Sequence, residues 1–441
     1  MKKIFVSIGL AATAAGLSSA FAQGMESAAP KLWNVSGTLR GFYDDNYNVS
    51  NDKKGSAGIE VSPSISANLD LQQTDLGMRY TFGMYDYFDR SSDGSDPIDY
   101  THQADVWLDH AFDETFKVNV TDTFIVAQDP KLVDGGAVTR VGGNNVVNHA
   151  RINFTKDWTR QFSTATYYGN NLVMYDDTHA KSPASGPGGI GPLNSVNQGY
   201  YPSQAAILNR IEQNVGMDFQ WQFEKETMGF VGYNFAWTRY TGSAYIQPYN
   251  SDDPPQYSYR SESRNNNIHY GYVGVQHEFS PNLSATARGG ISYIDMYNDP
   301  VSASHSLAPY ADISATYTFT PGSYLQGGFT QNINATDVVA PGADHHLTQY
   351  QESSVAYMNL THKFDSKLTG SLVGQYEYSQ YKDGAYGDEG DNMVSAGVSL
   401  NYQINSHFSA NAGYNYDELF SDIAGREYSR NRVYIGLGAN Y

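Results

Sequence analysis

The sequence predicts an all-β protein, a transmembrane antiparallel up-and-down β-barrel of about 18 strands, with 16 the next count. Three observations predict it. Apolar and polar residues alternate over ten or more positions at a stretch; soluble strands run about 5–6 residues, and membrane strands need about 9–11. Apolar anchors followed by tight polar turns recur at spacings with a floor of 40 residues. The connections at the other ends of the hairpins are long and polar, so all length variation falls on one side. Beyond the first 22 residues no run of 18 apolar residues occurs, which excludes a transmembrane helix.

Composition bounds the function. The 441 residues carry a formal charge of -19, 36 Tyr, 42 Gly and no Cys. Charged residues are 17%, against about 25% in an average soluble domain. The missing cysteines exclude disulfides, thiolate metal sites and a cysteine nucleophile. The acidic balance argues against nucleic acid as a partner, which requires a basic face.

The N-terminus reads as an export signal. Lys2 and Lys3 precede the apolar and small residues 4–17, and Ala20-Phe21-Ala22 is an A-x-A cleavage site, so the mature chain starts at Gln23. Losing two lysines takes the formal charge from -19 to -21. The expected organisation is a signal peptide at 1–22, a short periplasmic segment at 23–31 and one barrel at 32–441.

Strands are predicted at 32–43, 58–71, 76–85, 102–112, 116–126, 146–154, 162–175, 207–223, 228–240, 268–279, 283–295, 307–319, 324–331, 354–364, 368–379, 393–404, 408–416 and 430–441. In one, Val215, Met217, Phe219, Trp221 and Phe223 alternate with Gly216, Asp218, Gln220 and Gln222. The anchors are Phe112, Phe154, Phe223, Phe279, Phe319, Phe364 and Ile404, spaced by 42, 69, 56, 40, 45 and 40 residues. Their aromatic members would form one girdle at the short-turn end. The long connections include 44–57, 86–100, 127–145, 176–204, 241–266, 334–349 and 417–428. An interior this wide is expected to be narrowed by an infolded loop, 176–204 or 241–266.

The last strand alternates Val433, Ile435, Leu437, Ala439 and Tyr441 with Arg432, Tyr434, Gly436, Gly438 and Asn440. This ending, with the export signal and the Phe-turn hairpins, resembles the outer-membrane β-barrel porins of Gram-negative bacteria, particularly the putative β-barrel porin 2 group. The resemblance implies an outer-membrane location, contact with lipid and lipopolysaccharide, and Tyr441 as part of the signal read by the barrel insertion machinery. It implies a pore or envelope role and no particular solute. Homotrimers are common among porins, although no interface is visible in this sequence.

Strand parity assigns faces. With the apolar set toward lipid, the inward, pore-lining candidates are Arg40, Arg79, Arg151, Arg210, Arg288 and Arg432, with Asp105, Asp109, Glu212, Asp218, Asp312 and Glu377. Arg or Lys at the lipid midplane costs about 2–4 kcal/mol, so inward placement is required whether or not these groups touch a solute. They either orient charged solutes or pair across strands and stiffen the wall. Inward Tyr270, Tyr272, Tyr310, Tyr357 and Tyr434 offer a sugar-stacking track or plain wall packing. Asp122 breaks the rule: it shares parity with Phe116, Val118, Val120, Phe124 and Val126, and a bulge or a rim position would resolve it.

Enzymatic chemistry is not expected. There is no G-x-S-x-G elbow and no H-E-x-x-H. The Asp-rich loop 86–99 does not follow EF-hand spacing, and His345-His346 reads as a solvated pair, so no metal or cofactor is called for. No plug or passenger domain is expected. The function predicted is passive diffusion of small polar or ionic solutes with modest cation preference. The alternative is a non-conducting structural or surface-interaction barrel, an adhesin, phage receptor or polysaccharide-export partner.

Overall fold

A computed structural model describes residues 32–93, 96–129, 143–176, 203–242, 245–247 and 259–441. The expected signal peptide, its cleavage site and residues 23–31 lie outside the described residues, as does most of the loop 176–204.

Alternation produces long strands, and they close on themselves. They are β1 Trp33–Asp44, β2 Ser56–Asp70, β3 Thr74–Tyr87, β4 Ile98–Ala111, β5 Phe116–Ala127, β6 Asn145–Asp157, β7 Phe162–Met174, β8 Arg210–Glu224 and β9 Thr227–Tyr240. They continue as β10 Asn266–Ser280, β11 Leu283–Met296, β12 Ser304–Thr320, β13 Ser323–Asn334, β14 Tyr350–Lys363, β15 Leu368–Lys382, β16 Gly390–Gln403, β17 Phe408–Ser421 and β18 Tyr428–Asn440. Each pairs antiparallel with its chain neighbours in one 18-stranded sheet. β18 returns to β1, from Ser36 opposite Asn440 to Asp44 opposite Arg432. Closure leaves no sheet edge exposed. Tyr441 completes the seam: its N–H donates to Val35 O at 2.9 Å, and its ring lies 6.1 Å from that of Trp33.

All 18 predicted strands are present. Several extend further at the long-loop end: β4 starts at Ile98 rather than 102, β14 at Tyr350 rather than 354, and β17 runs to Ser421 rather than 416. The ladder continues there beyond the lipid band, where alternation no longer has to show. Residues 207–208, expected as strand, instead belong to a short helix, Gln204–Leu208, capped by Ser203.

Eight turns of two to four residues join the strands at one end. Three four-residue turns share a device: the side-chain oxygen of Asp113, Asp365 or Asn405 accepts from the backbone N–H groups two and three residues on. Thr159 does the same. Pro321-Gly322 closes β12–β13 in two residues, with Gly322 at φ +80°, a conformation that favours glycine. Just above these turns Phe112, Phe223, Phe279 and Phe364 are exposed on the outer face. His110, His277 and His362 each stack edge-on against the Phe two residues later, at 4.5–4.7 Å. These rings form the inner aromatic girdle.

Candidate functional site

The inner wall is built from cross-strand pairs. The structure places all twelve parity-selected residues on the face opposite the apolar set. Arg40 meets Glu60 at 3.0 Å, Arg79 meets Asp105 at 2.8 Å and Arg288 meets Asp312 at 3.2 Å. All three are registered partners on adjacent strands. Arg210 Nε donates to Glu212 at 2.6 Å, and Arg432 lies 3.2 Å from Asp44. Asp109 accepts from Asn119 at 2.8 Å, and Glu377 from Ser379 at 3.0 Å. Arg151 donates to Asn153 and sits 4.3 Å from the centre of the Tyr167 ring. Asp218 accepts from Tyr272 Oη at 2.6 Å, with Arg288 3.8 Å away. Arg40, Arg79, Arg210, Arg288 and Arg432 thus meet carboxylates, whereas Arg151 and Asp109 meet amides.

Aromatic rings and glycines are matched across the inner wall at six places. Phe42, Trp107, Tyr167, Phe230, Tyr357 and Tyr434 point inward, and each stands directly opposite a glycine: Gly58, Gly77, Gly216, Gly274, Gly328 and Gly413. A Cβ on any of these glycines would come within 2.0–2.5 Å of the facing ring. The rings thus lie down over the glycine backbone and cover the wall without crossing the lumen. Tyr270, Tyr272 and Tyr310 are buried against one another, with ring centres 5.4 Å apart in two pairs. This packing leaves them unavailable as an open stacking track.

The mouth at the long-loop end carries a second construction that strand parity does not show. Inward Ile125, Ala127, Val147 and Val173 at the tops of β5–β7 form one apolar cluster with Ile207 and Leu208, Ile246 and Tyr259, and Val339 and Leu347. These come from the short helix, the small ribbon Tyr245–Gln247 with Tyr259–Arg260, and the loop 335–349. Val338 and Ala340 of the same loop pack with Tyr381, Tyr386 and Ile423 toward β15–β18. The loop 335–349 therefore bridges opposite sides of the mouth. The expectation of an infolded loop is met by the described part of 241–266, joined by a loop that sequence length did not single out.

Three buried arginines tie this lid. Arg264, 0% exposed, donates to Ile207 O at 2.7 Å, Thr336 O at 2.9 Å and Gln349 O at 3.2 Å. Arg426 binds Asp337 at 2.6 Å and Asp391 at 2.7 Å. Those carboxylates outweigh the cost of burial and hold its guanidinium well above its ordinary pKa. Arg430 grips Asp44 at 2.6 Å and Asp129 at 2.8 Å, joining β18 to the β5–β6 loop. Sequence reading missed Arg264 and Arg426 because they stand in loops, where parity assigns no face. His346, expected to be solvated, meets Asp299 at 3.1 Å. Burial opposes its protonation, but the hydrogen bond and charge of Asp299 prevail, with Asp344 and Asp383 adding, and its pKa is raised.

A closed 18-stranded wall, apolar outside and lined with paired charge inside, is a β-barrel of the outer-membrane type. Residues 350–441 match the putative beta-barrel porin 2 family. The matched stretch comprises five strands, β14–β18, including the closing one. The curated proteins contain no match. Among solved structures, OccAB4 of Acinetobacter baumannii is 12% identical, with 93% of this chain and 99% of that one covered and a TM-score of 0.39. The outer membrane protein opdK of Pseudomonas aeruginosa is 9% identical, at 93% and 99% coverage and TM-score 0.43. The siderophore receptor PirA of Acinetobacter baumannii is 8% identical, at 95% and 81% coverage and TM-score 0.43.

Proposed function

We propose that this protein is a non-enzymatic channel of the bacterial outer membrane, passing small polar or ionic solutes through a lumen narrowed at its extracellular mouth. The observation that carries this reading is the closed 18-stranded wall with its charges turned inward. About 8 strands leave an interior filled by side chains, whereas 16–18 leave room for an aqueous channel. Wall charges that pair with one another set little net selectivity. A modest cation preference then comes from the acidic excess of the whole chain, formal charge -19, and is screened as the Debye length falls from about 10 Å at 0.1 M salt to about 3 Å at 1 M. A second reading, a non-conducting surface barrel, is favoured by one feature: the lid that Arg264 and the apolar cluster hold across the mouth. Planar-bilayer recording of the purified protein separates the two. Discrete ion steps with a cation-selective reversal potential at low salt support the channel. Silence in the wild type and in lid variants supports the surface barrel.

A further inference from the structure

One arginine of the inner wall departs from the pattern of the rest. Arg40, Arg79, Arg210, Arg288, Arg430 and Arg432 each lie 2.6–3.2 Å from a carboxylate. Arg151, midway along β6, has no carboxylate at such a distance among the described residues. The acids of the neighbouring strands are engaged elsewhere. Asp105 accepts from Arg79 and Thr123, Asp109 from Asn119, Glu212 from Arg210 and Asn171, and Asp218 from Tyr272. Asp218 and Arg288 act on Arg151 only at longer range and with opposite sign.

A chain of amides holds Arg151 instead. Asp109 accepts from Asn119 Nδ2 at 2.8 Å, Asn119 Oδ1 accepts from Asn153 Nδ2 at 2.9 Å, and Asn153 Oδ1 accepts from Arg151 Nε at 2.8 Å. The Tyr167 ring lies 4.3 Å from the guanidinium and is itself fixed over Gly216. Nε and one flat face are thereby occupied, while the two Nη groups make no hydrogen bond to the described chain. In register with Arg151 stand Thr121 on β5, Gly169 on β7 and, beyond it, Asn214 on β8. Thr121 is exposed on the inner face, and the Asn214 side chain lies over Gly169, where a Cβ would meet its Oδ1 at 2.1 Å. A guanidinium fork fixed at Nε and on one face, flanked by a hydroxyl and an amide, suits a planar oxyanion.

We propose that Arg151 and its row form a carboxylate-binding subsite in the lumen, which makes small monocarboxylates a class of solute for this channel. The inference rests on the channel reading above. The two Nη groups donate in parallel to the carboxylate oxygens, and Thr121 supplies a further donor at the same height. The single guanidinium charge without a counter-ion matches the single charge of a monocarboxylate. The cation preference belongs to the charge of the whole chain, and the subsite acts on the anions that enter.

The test uses the full chain in lipid nanodiscs, with propionate as probe at constant ionic strength. Titration followed by saturation-transfer NMR is expected to show saturable binding. Arg151→Gln should weaken it roughly tenfold or more. Arg151→Lys, which keeps the charge but loses the fork, should fall between the two. Lys367→Gln, an equal loss of charge in an exposed short turn, should leave affinity unchanged. Heat-modifiable migration on gels verifies that each variant is folded. In planar bilayers, propionate should depress the single-channel current of the wild type and not that of Arg151→Gln. Saturable, Arg151-dependent binding by a protein that does not conduct would support the subsite and refute the channel. Conduction with propionate binding that is absent, or equal in Arg151→Gln, would leave the channel standing and overturn the subsite. Inorganic phosphate binding more tightly than propionate would overturn the assignment to carboxylate.

Discussion

Replacing Arg264 by Met removes the only charged group that holds three loop carbonyls at once in the described lid. The guanidinium donates to Ile207, Thr336 and Gln349 at 2.7–3.2 Å and covers the Tyr240 ring at 4.7 Å. Hydrogen bonds from a charged donor contribute about 1.5–3 kcal/mol each, and they do not add fully. Part of the loss returns when freed carbonyls meet water. A net loss of about 3–4 kcal/mol in lid closure follows, close to that for breaking a buried polar pair. At about 1.4 kcal/mol per tenfold, the opening equilibrium rises roughly 10²- to 10³-fold. Amide hydrogen exchange in the loop 335–349 should lose protection by that factor, while the β14–β18 ladders keep theirs. Single-channel steps should become larger. Arg264→Lys keeps the charge but not the fork, so an intermediate effect is expected. Unchanged loop protection together with unchanged conductance in Arg264→Met would refute the reasoning.

Further outcomes follow from the wall and the loops. Gly216→Val drives a side chain into the Tyr167 ring, 2.3 Å from the new Cβ; a loss of about 1–3 kcal/mol is expected for such overpacking, read from denaturant midpoints, and Tyr167→Ala in the same chain should recover part of it. His346 has a raised pKa, so the contact between the loops at His346 and Asp299 contributes fully below the ordinary histidine value of 6.5 and is lost as pH rises through the raised one. Loop exchange at 335–349 should therefore quicken on the alkaline side, and His346→Gln should abolish that pH dependence. Asp365 has a lowered pKa because it accepts from the backbone of Lys367 and Leu368. Its turn contribution is present above the ordinary value of 3.8 and fades as pH falls through the lowered one, a dependence that Asp365→Asn should erase in acid unfolding curves.

Legibility in the sequence follows the physics of each part. The lipid imposes an alternation that any strand crossing it must obey, so β8, β12 and β16 could be recognised from residues alone. The short turns carry local signals, an apolar anchor and an Asp, Asn or Thr whose side chain folds the next two amides, and they too are readable. Parity assigned faces to Arg79 and Asp105, and their pairing follows from register. The lid was not readable, because Ile207, Tyr259, Val339 and Leu347 lie far apart in the chain and converge only once the barrel brings its loops together. Arg264 and Arg426 have no alternation around them to indicate a direction. Asp44, read as the start of a loop, is the last residue of β1 and the acceptor for Arg430 and Arg432. Asp122 was the informative exception: it does point outward, its strand pairs regularly on both sides, so neither a bulge nor a rim position accounts for it, and Asn148 donates to it at 2.6 Å.

The central claim is a cylinder wet within and apolar without, and because the chain has no cysteine it can be tested one residue at a time. Single cysteines introduced from 432 to 439 along β18, in protein held in lipid bilayers, are probed with a membrane-impermeant maleimide small enough to enter from the short-turn end. The account predicts reactivity with a period of two, strong at the even, inward positions and weak at Val433, Ile435 and Leu437. Labelling that ignores parity, or that favours the odd positions, would contradict it.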